Sequence, residues 1–535
     1  MKTKTMYPKT FGKSLFTVFV LLLSLGNAMA QETPQATYHE THRPQYHFSP
    51  AKGWMNDPNG MFYYEGEYHL FYQYYPDKTV WGPMHWGHAV SKDLAHWENL
   101  PIALYPDSLG YIFSGSAVVD WKNTSGFGIN NQPPLVAIFT YHDMAGEKSG
   151  RKDYENQGIA YSNDKGRTWT KYVGNPVLKN NGTTDFRDPK VIWDEARKQW
   201  VMALAVQDHH EFWVSKDLKN WVNTGSFGKE WGNHGGVWEC ADLFPLKNGN
   251  TTKWILIVNI NPGAPNGGSG TQYFVGNFDG KTFHLDEDFK PLVSNGNAAW
   301  LDYGRDNYAG VTWSDVPKSD GRRILIGWMN NWQYANLVPS LQWRGAATLP
   351  RELKLVATPQ GYRVAVVPVK ELQSLRNIKQ VFSLKNQKVK TAIDLTPQLG
   401  FKSTLSEIEI SFEKPQSKGI LEIEIANNKG ERYVIGYNTS TNTFFSDRTQ
   451  SGKIQFSDKF ANSVHTAPRL SNSNTIKLHV FFDVASAELF ADGGTSVLTD
   501  TFFPNEDYTK IQLKTDGTTI AIKELKIWSL KSTWK

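Results

Sequence analysis

The sequence predicts an all-β protein, a five-bladed β-propeller followed by a C-terminal β-sandwich. Three observations predict it. Short aromatic and β-branched runs recur through the first two thirds of the chain, and a polar hairpin-like turn recurs with them. Beyond about residue 351 the texture changes to plain alternation of apolar and polar residues. With 535 residues, 40% of them hydrophobic and 20% charged, the chain is globular in composition and too long for one modest core.

The chain begins with Lys2, Lys4, Lys9 and Lys13 ahead of the apolar run "SLFTVFVLLLSL", and "NAMA" puts Ala28 and Ala30 before Gln31. This is the pattern of a secretory signal peptide over residues 1–30. The run is about twelve residues, too short for a membrane span. An exported protein, periplasmic or extracellular, is expected. The lone Cys240 allows no internal disulfide, so core burial must stabilise the fold. The formal charge of +5 includes the four leader lysines, and no dense Lys/Arg patch appears, so a nucleic-acid partner is not expected.

The propeller is expected over residues 43–352. The runs "YHLFYQYY", "PLVAIFTYH", "QWVMALAVQ", "KWILIVNIN" and "RRILIGWMN" begin at Tyr68, Pro134, Gln199, Lys253 and Arg322, and each reads as a strand. "SKDLAHW", "SNDKGRTW", "SKDLKNW" and the weaker "NFDGKTF" look like one hairpin turn reused, its aromatic plugging the core between neighbouring sheets. Strand units recurring at this interval describe propeller blades, because an isolated four-stranded sheet cannot bury both faces.

Ahead of the strands stand "NDPNG" (Asp57), "FSGS" (Phe113–Ser116), "FRDP" (Asp188), "WEC" (Glu239) and "RDNYAG" (Asp306), about one per blade. The first strand of a propeller blade lines the central channel, so matched positions converge at one mouth. "KELQSLRN" then reads as a connector. The sandwich, expected over 365–535, follows in "LSEIEISFE", "GILEIEIANN", "ERYVIGYN", "TIKLHVFFDVASAELFADGG" and "AIKELKIWSL". It is poor in candidate catalytic residues and reads as a stabilising or accessory module.

Each acidic motif alone is ordinary. Asn-Asp-Pro-Asn-Gly is a common surface turn, Arg-Asp-Pro could be a surface ion pair, and Trp-Glu-Cys says little. Two Asp and one Glu at one channel mouth are another matter, because glycosidic cleavage needs a proton donor and a nucleophile or water-activating carboxylate. Asp57 lies among amide groups that can solvate a carboxylate, which suits a nucleophile. Glu239, between Trp238 and Cys240, has apolar neighbours that favour its protonated form, which suits an acid/base. Asp188 sits between Arg187, which offers a fork of donors beside it, and Pro189, which restricts it. That suits a clamp on two sugar hydroxyls.

Together "WMNDPNG", "LFYQYYP", "WGPMHWGHAVSKDLAHWENLPIAL", "FSGSAV", "DFRDPKV", "WEC" and "NWQYANLVPSLQWRGAATLPREL" resemble glycoside hydrolase family 32, the invertases, levanases, inulinases and fructan exohydrolases. The resemblance implies a retaining mechanism on β-fructofuranosides. Asp57 would be the nucleophile, Glu239 the acid/base and Asp188 the transition-state stabiliser. It implies fructose-binding roles for Asn56, Gln73, Trp81, Phe113, Ser114, Arg187 and Trp332, with no metal and no cofactor. The chain departs from the family pattern at Ala241, at Asn307 after Asp306, and at Ala485. An exo-acting enzyme on levan or inulin, a monomer with sucrose as a further substrate, is the expectation. The alternatives are a sucrose-specific invertase, an endo-acting levanase or inulinase, an inverting relative acting on arabinan or xylan, and a non-catalytic carbohydrate-binding protein.

Overall fold

A computed structural model describes residues 36–534; the expected signal peptide lies outside them. Among the described residues no helix is long and apolar enough to cross a membrane. Five sheets, antiparallel but for one short closing strand, follow one another from Gly53 to Pro368, and two six-stranded sheets are built from residues 376–530. This is a β-propeller followed by a β-sandwich.

Each of the five sheets begins with an inner strand: Gly53–Tyr64, Tyr111–Val119, Phe186–Asp194, Val237–Asn248 and Tyr308–Thr312. The predicted apolar runs are the second strands, buried along nearly their whole length between neighbouring sheets. The recurring polar turns are built alike. Asp93, Asp217 and Asp279 each accept the backbone N–H groups two and three residues on, and Asp164 accepts that of Thr168. The aromatic after the turn does plug a neighbouring sheet: Trp169 lies edge-on to Phe71, and Phe283 to Phe227.

The ring closes through Trp343–Arg344, which pairs in parallel with Gly53 and Trp54. Gly345 follows at φ +91°, and a Cβ there would lie 2.0 Å from the Met55 carbonyl oxygen, so only glycine fits. The fifth sheet takes its outer strands from Arg351–Thr358 and Gly361–Pro368, so the boundary expected at 352 falls inside it. The first of those strands alternates buried and more exposed residues much as sandwich strands do, which hid the boundary.

The channel is plugged below its mouth. Lys190 Nζ donates to the Thr312 carbonyl (2.5 Å) and lies 3.2 Å from Asp242, whose Oδ2 also accepts from the Thr312 N–H and hydroxyl. Ser116 Oγ donates to the Pro189 carbonyl, and Asn259 ties Cys240 to Gly310. Four of the five sheets are thus stitched together by hydrogen bonds between buried polar groups.

Buried charges also join propeller to sandwich. His47 is held between Asp483 (2.7 Å) and Glu488 (2.9 Å), and Arg351 bridges Glu488 to Asp302. Burial alone would lower the His47 pKa, but these two carboxylates raise it to about 9. Burial likewise opposes ionisation of Glu488, yet Arg351 and His47 bring it down to about 2. The His47 contribution is complete below its ordinary 6.5 and is lost as pH rises through about 9. That of Glu488 is complete above its ordinary 4.5 and is lost as pH falls towards about 2. The expected result is a Tm maximum between pH 4.5 and 6.5. His47→Gln should lower Tm by several degrees there and much less at pH 10. A loss of equal size at both pH values would contradict this weld.

Candidate active site

"WMNDPNG" is not the surface turn its composition predicts. It lies inside the twelve-residue strand Gly53–Tyr64, which is bulged between Met55 and Pro58. The same irregularity recurs in every inner strand: between Ile112 and Gly115, at Arg187–Lys190, between Glu239 and Asp242, and between Tyr308 and Val311. Asp188, Cys240 and Ala309 within these bulges have φ of +62°, +41° and +53°, a region such residues seldom adopt. A bulge re-aims a side chain that a regular strand would alternate across the sheet. Five bulges at one level aim their side chains into one mouth. Pro58 and Pro189 fit here because a bulge can dispense with a ladder N–H.

The mouth opens into a cavity of about 270 Å³, and all ten residues expected from the sequence line it: Asn56, Asp57, Gln73, Trp81, Phe113, Ser114, Arg187, Asp188, Glu239 and Trp332. Asp57 is held at both oxygens, accepting from Asn56 Nδ2 (2.9 Å) and Ser114 Oγ (2.8 Å). Asn56 is oriented in turn by Trp54 Nε1 (2.7 Å). Asp188 accepts from the Cys240 N–H (3.0 Å) through Oδ2, and among the described residues Oδ1 has no hydrogen-bond partner. Gln73 Nε2 is buried and, among the described residues, likewise without a partner.

The Arg187 fork does not grip Asp188, contrary to the sequence reading. Its Nη2 and Nε donate to Glu239 Oε1 (2.9 and 3.3 Å), while Nη1 reaches Asp185 (2.6 Å) and Glu155 (3.3 Å). Inside the bulge the regular alternation is broken, so Arg187 and Asp188 both enter the cavity, and the fork reaches across it to Glu239 and Glu155 rather than to its chain neighbour. Glu239 Oε2 accepts from the Tyr308 hydroxyl.

Asp306 is corrected as well. It lies two residues before its strand's bulge and turns towards the sandwich, where Arg448 (2.5 Å) and Thr501 bind it together with Tyr334 (2.7 Å) of the propeller. From the fifth sheet it is Tyr308 that reaches the site.

Burial raises the Asp188 pKa to about 7; Arg187 opposes the rise, and Glu239 and Asp57 add to it. Burial also raises Glu239, against Arg187 and with Asp57. Cys240 Sγ lies 3.5 Å from both Asp57 and Asp188; burial and these anions push its pKa well up, so it remains a thiol. One guanidinium among several carboxylates leaves a site that holds a proton readily at neutral pH.

Sequence reasoning missed a supporting row. Glu155, 1% exposed, accepts from the Phe186 N–H, lies 3.2 Å from His142 Nδ1 and braces Arg187. The His142 ring stacks on Phe113 with centroids 4.1 Å apart. No local motif marks these residues, since their partners lie on other strands. Elsewhere, Glu407, Glu409 and His479 are spaced closely enough to hold a cation. Arg376 already donates to both carboxylates at 2.6 to 2.8 Å, so the group is an ion-pair network.

Sequence comparison accords with this geometry. The profile for the N-terminal domain of glycosyl hydrolases family 32 matches residues 47–368, and that for the family's C-terminal domain matches residues 371–529. The chain is 46% identical to a levanase of Bacillus subtilis, over 97% of this chain and 74% of the relative. It is 38% identical to an extracellular exo-inulinase of Aspergillus awamori, over 93% and 96%. The solved structure of exo-inulinase from Aspergillus awamori superposes with a TM-score of 0.86 at 37% identity, covering 93% of this chain and all of that one. A β-fructofuranosidase from Schwanniomyces occidentalis, complexed with fructosyl-erythritol, gives 0.81 at 33% identity, with coverage of 92% and 98%. Matched over both of its domains, the chain belongs to glycosyl hydrolase family 32.

Proposed function

We propose that the protein is an exo-acting, retaining β-fructofuranosidase that removes terminal β-fructofuranosyl residues from fructans. The observation that carries this reading is the convergence of three carboxylates in unlike environments on one plugged cavity, each from a different sheet. The names of the similar proteins, levanase and exo-inulinase, support the substrate class.

In this mechanism Asp57, fixed at both oxygens, attacks the anomeric carbon. Glu239, whose pKa burial raises, gives its proton to the departing glycosidic oxygen. The fructosyl ester on Asp57 is then attacked by water, whose proton returns to Glu239. Arg187 and Tyr308 hold the Glu239 carboxyl in place and stabilise it once it is ionised. Asp188, through its unpartnered Oδ1, and Gln73 Nε2 bind sugar hydroxyls. Trp81, Phe113 and Trp332 form the aromatic wall, and Trp54 and Trp328 back Trp332 with ring centroids 5.9 and 4.8 Å from its own. No step needs a metal or cofactor. The five sheets are the five blades, the chain works as a monomer, and the N-terminal 30 residues direct its export.

Digesting levan, inulin and sucrose side by side tests the reading. Free fructose should be the sole early product from at least one of the two polymers. A ladder of oligomers would overturn exo-action, and activity on sucrose alone would make the protein an invertase.

Asp188 gives a second test, with opposite signs for stability and activity. Its folded pKa of about 7 lies above the ordinary 3.8, so the native state loses stability as pH rises between those values. Asp188→Asn should therefore raise Tm by about 2 °C at pH 8 and leave it nearly unchanged at pH 4, while turnover falls at least about a hundredfold. An unchanged or lower Tm at pH 8 would show that the charge is not strained.

A further inference from the structure

The inner strands run past the plug to a second cavity. Val118–Val119, Val191–Trp193 and Ser314–Pro317, at or just beyond the far ends of three inner strands, line a space of about 620 Å³ with Trp121 and Arg323. At about 3.3 Å per residue, Trp193 lies ~16 Å along its strand from Asp188. Ser116, Lys190, Asp242 and Thr312, none more than 5% exposed, fill the channel between the two cavities. The space has the size of a ligand site and is separate from the one containing Asp57.

Its walls are arranged for a flat, hydroxylated ligand. Trp121 is 62% exposed, yet its ring is held in one orientation. The indole N–H donates to Asp315 Oδ1 (2.9 Å), and the ring lies 5.8 Å from that of Tyr64. Holding so large an apolar face in water has a cost that a stacked ligand would offset. Trp193 gives a second, half-buried face, packed at 5.0 Å on Trp200 and capped by Lys122 at 4.8 Å.

The polar groups are largely unspent. Among the described residues, the Arg323 side chain makes one hydrogen bond, from Nη1 to the Trp313 carbonyl (3.2 Å), and no ion pair. Its guanidinium lies over Phe244 at 4.9 Å. Asp315 lines the same cavity, each oxygen accepting one N–H, from Val119 and from Trp121, with lone pairs to spare. A guanidinium and a carboxylate that share a cavity without pairing supply donors and acceptors for neighbouring hydroxyls. Glu195 and Asp315 would repel an anion, and Lys122, Lys318 and Arg323 a cation, so a neutral ligand fits.

We propose that this cavity is a second carbohydrate site, which binds a neutral fructan chain across Trp121 and Trp193 with hydrogen bonds to Arg323 and Asp315. The identity of the sugar rests on the activity proposed above; the site itself rests on this cavity. It would recruit polymer to the protein surface, exchanging between chains as each end backs out, and be irrelevant to a substrate as short as sucrose.

The test uses the full chain. Asp57→Ala, which should not consume the polymer, is run in native gels containing levan or inulin, alone and combined with Trp121→Ala or Arg323→Gln. Retardation by at least one polymer should weaken about fivefold in each double variant, the size expected for one lost stack. Trp121→Ala in the otherwise wild-type chain should keep its kcat/KM on sucrose within twofold. Equal retardation with and without Trp121 would overturn the second site. If Arg323→Gln lowers Tm, Trp121→Ala decides alone, because an exposed ring can be removed without opening the core. Fructose release by the wild-type chain separates the two failures. Release with Trp121-independent retardation leaves the activity standing and removes the second site; no release from either polymer removes both.

Discussion

Asp57→Ala should fold as the wild type does and lose hydrolysis of β-fructosides by about 10,000-fold or more. The carboxylate accepts at each oxygen from a neutral side chain, Asn56 and Ser114. Those donors hold both oxygens in one plane facing the cavity, and Trp54 fixes Asn56 behind them. Alanine removes the atom that forms the fructosyl ester, and no neighbouring carboxylate can take its place, because Asp188 and Glu239 are each tied to other strands. The measurement is kcat on sucrose and on the better fructan polymer, with Tm as the check on folding. A kcat within tenfold of wild type would remove Asp57 as nucleophile.

Glu239→Gln should act differently on different leaving groups. On sucrose or fructan the leaving oxygen needs a proton, and loss of the acid should reduce turnover about a thousandfold. A 4-nitrophenyl β-fructofuranoside needs no such proton, so its first step should survive. The second step then lacks its base, and nitrophenolate should appear as a burst close to one equivalent per enzyme, followed by slow turnover. Equal losses on both substrates, without a burst, would assign Glu239 to positioning. The amide keeps most of the size of the carboxyl, and Tyr308 and Arg187 remain in place, so the comparison isolates the proton.

Much of this was legible in the chain, and the exceptions have physical causes. The five apolar runs became second strands because a strand buried on both faces must be apolar throughout. The motif residues became neighbours because a propeller superimposes equivalent positions of remote segments. Asp306 keeps the same beat in sequence, but spacing of about one per blade does not resolve a two-residue offset from a bulge, and the offset turns it towards Arg448. Arg187 was assigned to its sequence neighbour, whereas its partners Glu239 and Glu155 come from other strands. Glu155 and His142 lie outside every motif because their work is to hold other residues. The bulges themselves were invisible, so Asn-Asp-Pro-Asn-Gly, whose composition favours turns, was read as one. In a strand whose ladder is interrupted, those same preferences place a carboxylate.

The stitched channel has a consequence for how a polymer shortens. With Ser116, Lys190, Asp242 and Thr312 closing the floor, the released fructose must leave by the opening through which the chain end came in. The remaining chain therefore has to back out before the next unit can enter, and its end competes anew with every other end in solution. A population of fructan molecules would then erode together, its mean length falling smoothly, instead of a few molecules vanishing while the rest stay intact.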